Sequence, residues 1–385
     1  MNKKPISAIF PENSRLLLTG GGKDFIERIG VDAAKKVVLG VLLGENVRTQ
    51  TEPLTRQRIA QLSGAMVALF VNGWKEIPNF SSDISALAVE QINNAKKNDN
   101  AELWPAQWLL GLTGKSVQNV LQSDPARRAA YVADFASAIR EASAKCKAEM
   151  GDLRMTLGFV EDAEGNRAEL GWEDITRLTT AIGSLTLTIR GSDKSIYGKL
   201  FERLVLGSAL ALLGFQRINP ATNTKSEKVF WLSDSADTRE CDATLLFSPG
   251  RLARFDIGFI GPGNSEISKD KLTRYAAEIE RHGKIYASNT FIIVDRLPDT
   301  SKTRQVAEKA GAELVQMSMQ FWLKDLALRL GKHYGYAHPV QSMADGEIAA
   351  YIAQQLAAIP IQDFLIGVQA SDLQEDNKII LEEML

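Results

Sequence analysis

Cysteine and histidine are both scarce in this 385-residue chain, which has two of the first and three of the second. Cys146 and Cys241 stand too far apart for a zinc motif and read as reduced thiols. His282, His333 and His338 form no ligand cluster, and residues 333–338 read as a surface segment after a helix. No apolar run approaches the roughly 18–20 residues that cross a bilayer. The first residues, Met-Asn-Lys-Lys-Pro-Ile-Ser, have no apolar core of a secretory signal. The expected location is therefore cytoplasmic, with no membrane partner. Excess positive charge is missing too: the formal net charge is −2. That argues against a nonspecific nucleic-acid binder, whose affinity comes mostly from neutralising phosphates. It leaves room for a specific enzyme, because acidic surface residues can mask a locally basic cleft.

Two glycine-rich stretches also fall short of a motif. Gly111-Leu-Thr-Gly-Lys-Ser ends like a phosphate-binding loop, but Leu109 stands where the pattern needs its first glycine. A helix boundary is the better reading there. Gly20-Gly-Gly-Lys lacks the spacing as well and reads as a flexible turn. The six tryptophans are scattered, which fits packing better than a base-stacking platform. No internal repeat or low-complexity tract is present.

What remains is a globular composition, 45% hydrophobic and 24% charged, on a chain long enough for two domains. Residues 1–150 read mainly as helix, with helical spacing over 25–43 and 54–70. Further helices are expected from Ser82-Asp83 and from Asp124-Pro125, with loops at 49–53 and 96–100. Beyond residue 150 the pattern changes. An irregular or hairpin-like segment (153–167) and a short helix (173–182) precede a strand or extended lead-in at 185–190. The order then becomes helix, strands at 229–233, 242–247 and 254–260, helix 268–281 and strand 290–294. Helix 303–310, strand 313–317, helix 319–330 and a helical tail from 344 follow. The fold class is α/β (α+β): a central mixed β-sheet flanked by helices, with a mainly helical N-terminal region.

Three acids occupy apolar elements of that second half. Glu202 sits in the helix that opens Tyr197-Gly-Lys-Leu-Phe-Glu, Asp242 opens one strand, and Asp256 interrupts another. Burying carboxylates is costly unless something compensates them, and a divalent cation held by oxygen ligands is the natural compensator. A helix followed by two short strands can bring all three to one point. Such a site suits metal-assisted phosphodiester hydrolysis, with Asp242 and Asp256 as direct Mg²⁺ ligands and Glu202 completing the shell. Alternation puts Asp256 and Gly258 on one strand face, and Phe255, Ile257 and Phe259 on the other. Taken singly, Glu202 reads as an exposed helix residue and Asp242 as a turn residue. Their joint order carries the inference.

Ser195-Ile-Tyr-Gly-Lys-Leu-Phe-Glu202, Glu240-Cys-Asp242 and Phe255-Asp-Ile-Gly-Phe-Ile-Gly-Pro-Gly-Asn264 resemble type II restriction endonucleases of the PD-(D/E)XK superfamily. Within it the likeness is to the CfrBI-type family, and it is firmest over about 185–281. The resemblance implies a mixed sheet flanked by helices, magnesium dependence, double-stranded DNA as substrate and a homodimer. It also implies a nuclease core over 185–341, with 1–184 as a helical region for dimerisation or DNA recognition and 342–385 as a helical extension. One departure stands out. The superfamily places a lysine two residues after the second acid, where this chain has Gly258. Lys271 is the expected replacement, with Lys199 and Lys269 as competitors. Arg190, Lys194, Lys199, Asn264, Lys269 and Arg274 are the candidate DNA contacts. Two other readings stay open: a repair or recombination nuclease using the same acids, and a non-catalytic DNA-binding module, which Gly258 allows.

Overall fold

The computed structural model describes residues 4–96, 99–114, 125–150, 159–161, 167–169, 172–222, 224–225, 227–233, 241–259, 288–295, 307, 311–319 and 321–374. Helices α1 (Ile6–Ile9), α2 (Glu12–Thr19), α3 (Gly22–Ile29), α4 (Val31–Leu42), α5 (Val47–Glu76), α6 (Phe80–Asn94) and α7 (Asn100–Leu109) come first. The helical spacing over 25–43 is interrupted at Gly30, whose φ of 123° lies outside the helical region and is open only to glycine at low cost. The loop expected at 49–53 is instead helix. Asn46 Oδ1 accepts the Arg48 N–H at 2.9 Å and so caps α5, and Pro53 falls in its second turn, where only one intrahelical bond is lost. Helix α7 is capped by Asp99, whose Oδ1 accepts from the Ala101 and Glu102 amides. It ends just before Gly111, so the Gly111–Gly114 stretch is a helix boundary as expected.

Helix α8 (Pro125–Met150), a hairpin of β1 (Phe159–Glu161) and β2 (Arg167–Glu169), and helix α9 (Trp172–Leu212) follow. The strand expected at 185–190 is a correction: that stretch lies within the 41-residue α9. Leu-Thr-Leu-Thr-Ile-Arg alternates, but the buried apolar residues are Ala181, Leu185 and Ile189, four apart, while Leu187 is 67% exposed. The Thr186 and Thr188 hydroxyls each donate to a carbonyl one turn back, at 2.9 Å, so they add no unmet polar group to the helix. Packing chose the 3.6-residue period over the two-residue one.

Among the described residues the main sheet has six strands in sequential order: β3 (Gln216–Arg217), β4 (Val229–Leu232), β5 (Ala243–Ser248), β6 (Arg251–Gly258), β7 (Ser288–Val294) and β8 (Glu313–Gln316). It is mixed. The β4–β5 and β5–β6 pairs are antiparallel, and β3–β4, β6–β7 and β7–β8 are parallel. Helices α10 (Trp322–Tyr334), α11 (Asp345–Ala358) and α12 (Ala370–Gln374) follow, with 3-10 turns at Pro339–Gln341 and Ile361–Leu365. The α/β class and the helical N-terminal region are therefore as expected. The segment 333–338 begins inside α10, which ends at Tyr334; beyond it Gly335 and Ala337 are exposed, as expected of a surface segment, while Tyr334 and Tyr336 are buried.

The chain divides into two compact units. Met1–Gly20 with Thr55–Asp193 forms the first. Its core includes the edge-to-face cluster of Phe70, Trp74 and Phe80. It also buries an ion pair, Arg58 with Asp193, while the Arg58 guanidinium donates to the Leu17 carbonyl. Gly21–Leu54 with Lys194–Leu385 forms the second, which holds the main sheet. There the Trp322 indole donates to the Val41 carbonyl at 2.9 Å, tying α10 to α4. Phe255 and Phe291 stack across β6 and β7 with centroids 5.1 Å apart. Phe201, Leu204 and Val205 of α9 are fully buried. A Cβ at Gly207 would lie 2.7 Å from the Phe364 ring, so glycine is what lets α9 run against the 361–365 turn.

Candidate active site

Helix α9 presents Lys199, Glu202, Arg203 and Leu206 to one small cavity, at positions i, i+3, i+4 and i+7 of a single helix face. Ser233, at the end of β4, and Cys241 and Asp242, at the start of β5, form the opposite wall. Gly367, Val368, Asp372 and Leu373 close a third side. The cavity measures about 60 Å³. At roughly 10–15 Å³ per water it holds a few waters or a hydrated ion, not a nucleobase.

Hydrogen bonds fix these walls. The Arg203 guanidinium donates from Nε to the Phe364 carbonyl at 3.3 Å and from Nη1 to the Ser233 carbonyl. Lys199 Nζ donates to the Asp372 carbonyl at 2.8 Å. Asp242 is tied to β6 on both sides of residue 256. Its amide donates to the Phe255 carbonyl at 2.9 Å, and its Oδ2 accepts the Ile257 N–H at 2.7 Å. The carboxylate is thereby held beside Asp256 on the neighbouring strand. The pleat of β6 buries Ala253, Phe255 and Ile257 and leaves Arg254 and Asp256 half-buried on the other face.

The Cys241 thiol reports the same neighbourhood. Burial pushes it above its ordinary range, and the charges of Asp256 and Asp242 add to that against the Thr244 hydrogen bond and Arg254. The thiol stays protonated near neutral pH and is not an activated nucleophile.

Of the expected site residues, the structure brings Glu202, Asp242 and Lys199 to one cavity, with Asp256 on the strand bonded to Asp242. Among the described residues, no three His, Cys, Asp or Glu side chains form a group able to hold a metal ion by themselves. Arg190 is exposed on α9 in the first unit. Lys194 lies on α9 as well. Asn264, Lys269, Lys271 and Arg274, with the expected helix at 268–281, lie outside the described residues. Sequence reading missed Arg203, Cys241 and Asp372 as cavity residues. Helical spacing from Lys199 and Glu202 points to Arg203. No local signal points to Asp372, which is far along the chain.

A mixed sheet with acids on adjacent strands, faced by a helix carrying a third acid and a cation, has the layout of a phosphodiester-cleaving nuclease. The family model for the CfrBI restriction endonuclease matches residues 31–302. The Type II restriction enzyme CfrBI of Citrobacter freundii is 34% identical over 320 residues, covering 82% of this chain and 85% of that protein. No solved structure matches. The chain belongs to the CfrBI restriction endonuclease family and is of the type II restriction endonuclease class, hydrolases that cut DNA.

Proposed function

We propose that this endonuclease hydrolyses phosphodiester bonds at specific sites in double-stranded DNA, with Mg²⁺ as cofactor and Asp242, Asp256 and Glu202 as its acids. The observation that carries the assignment is the joining of Asp242 to the backbone on either side of Asp256, with Glu202 facing Asp242 across one cavity. The donor set is all oxygen, as a hard cation prefers. Mg²⁺ takes one or two carboxylates and fills its shell with water and substrate phosphate, so two strand acids fit it. When bound, the ion polarises the phosphate and lowers the pKa of a bound water.

The chain's own groups do the rest. The Ile257 amide bond orients the Asp242 carboxylate, and the 2.7 Å contact fixes one of its oxygens. Glu202 is set to orient water from the helix side. Lys269, Lys271, Arg274 and Asn264, with Arg190 and Lys194, remain candidate contacts to phosphate or base. The segment 1–184 is assigned to dimerisation, DNA recognition or both, 185–341 to the nuclease core, and 342–385 to a helical extension. A two-fold dimer matches a symmetric target with one active site per strand.

Incubation of purified protein with a mapped plasmid and Mg²⁺, followed by sequencing of fragment ends, tests the reading. Ends at one recurring sequence are expected, and chelation stops cutting. Asp242→Ala and Asp256→Ala are expected to lose cleavage while keeping their fold and part of their DNA affinity. Cutting at branched or damaged structures regardless of sequence would point to a repair nuclease, and intact plasmid with retained binding to a non-catalytic module.

A further inference from the structure

The position two residues after Asp256 is Gly258, so the cation that meets the phosphate must come from elsewhere in the chain. Lys199 shares a helix face with Glu202 and lines the same cavity as Asp242. Its Nζ donates to the Asp372 carbonyl at 2.8 Å, which holds the ammonium at the cavity wall. Arg203 lines the cavity too, but two of its nitrogens are turned to the Phe364 and Ser233 carbonyls, which makes it a brace between α9, β4 and the 361–365 turn. We propose that Lys199 is the catalytic cation of this enzyme, its ammonium set against the scissile phosphate in the role that Gly258 cannot fill. The assignment rests on the reading of Asp242, Asp256 and Glu202 as the catalytic acids.

In the reaction a water oxygen bonds to phosphorus and one ester P–O bond breaks. The departing oxygen ends with one of the water's protons. Negative charge grows on the phosphoryl oxygens along the way, and a fixed ammonium beside them stabilises it most at that stage. The same ammonium neutralises one phosphate in the ground state, which makes it visible in binding as well as in rate.

Lys199→Met keeps the stem and removes the charge, and Lys199→Arg keeps the charge. Two measurements separate catalysis from packing: single-turnover cleavage of the mapped plasmid with Mg²⁺, and metal-free binding of a cleaved-site fragment across a salt series. For Lys199→Met the cleavage rate is expected to fall about 100- to 1000-fold at an unchanged thermal midpoint. Its plot of log affinity against log salt is expected to be shallower by about 0.9, one phosphate contact. Lys199→Arg is expected to restore the salt slope and part of the rate. A Met variant that cuts within about threefold of the wild type, far short of one lost donor, overturns the proposal. So does a rate loss with an unchanged salt slope, or a lowered midpoint with no recovery in the Arg variant. Intact plasmid with the wild type, or normal cutting by Asp242→Ala, refutes the underlying reading of the acids instead and takes the proposal with it.

Discussion

Single residues show how far local chemistry here depends on a neighbour. Glu313 of β8 accepts from His333 Nε2 at 2.7 Å and pairs with Arg329. Burial works to raise this carboxyl, but the hydrogen bonds and charges of His333 and Arg329 outweigh it and hold it below the usual carboxylate range. A depressed acid contributes stability that is present above its unfolded pKa and is lost as pH falls through its folded one. Glu313→Gln is therefore expected to lower the thermal midpoint at neutral pH. The gap to the wild type should close as pH falls from the ordinary carboxylate range to below it. Paired melting curves across that range check this, and a constant gap would contradict it. At the candidate site the three proposed acids were legible as residue types in apolar runs. That Asp242 would bond the backbone astride Asp256 was not, because it depends on how β5 registers against β6.

Elements were legible where period and punctuation agreed. The 229–233, 242–247, 254–260, 290–294 and 313–317 stretches all contain strands close to their expected bounds. Misreadings came where two periods fit one string, as at 185–190, or where a proline near a helix start looked like a break, as at Pro53. Gly30 is the opposite case, a break inside a run of good helical spacing. A Cβ there would meet only Ala33, at 3.8 Å, so Gly30→Ala tests backbone strain without a clash. Holding alanine at this positive φ is expected to cost roughly 1–3 kcal/mol, read by denaturant unfolding. Equal stability would mean that α3 and α4 shift to relieve the angle.

For the molecule as a whole, the family is established and the quaternary state is a proposal with a kinetic signature. A dimer with one active site per strand is expected to convert supercoiled plasmid to linear with little nicked intermediate, and light scattering should give twice the chain's mass. Nicked circles as the main early product, from a species of single-chain mass, would rule out the paired arrangement. Among the described residues no helix is long and apolar enough to cross a membrane. The two units each draw on separate stretches of the chain, and residues 21–54 belong with the sheet-bearing unit. Sequence order alone did not suggest that, since helical pattern is silent about which core a helix joins.

The sequence by itself determined the fold class and the family, and it singled out three candidate acids. The fold class rests on periodicity and the family on the resemblance of short motifs, both of which are written along the chain. Only the tertiary structure decided that 185–190 is helix and that Lys199, Glu202, Arg203, Asp242 and Asp372 share one cavity. Burial of Leu185 and Ile189 selects the helical period, and the hydrogen bonds that draw α9, the end of β4 and the 367–373 segment together join residues remote in sequence. Such contacts gain their free energy from desolvation and hydrogen bonding between distant stretches, which local spacing does not encode.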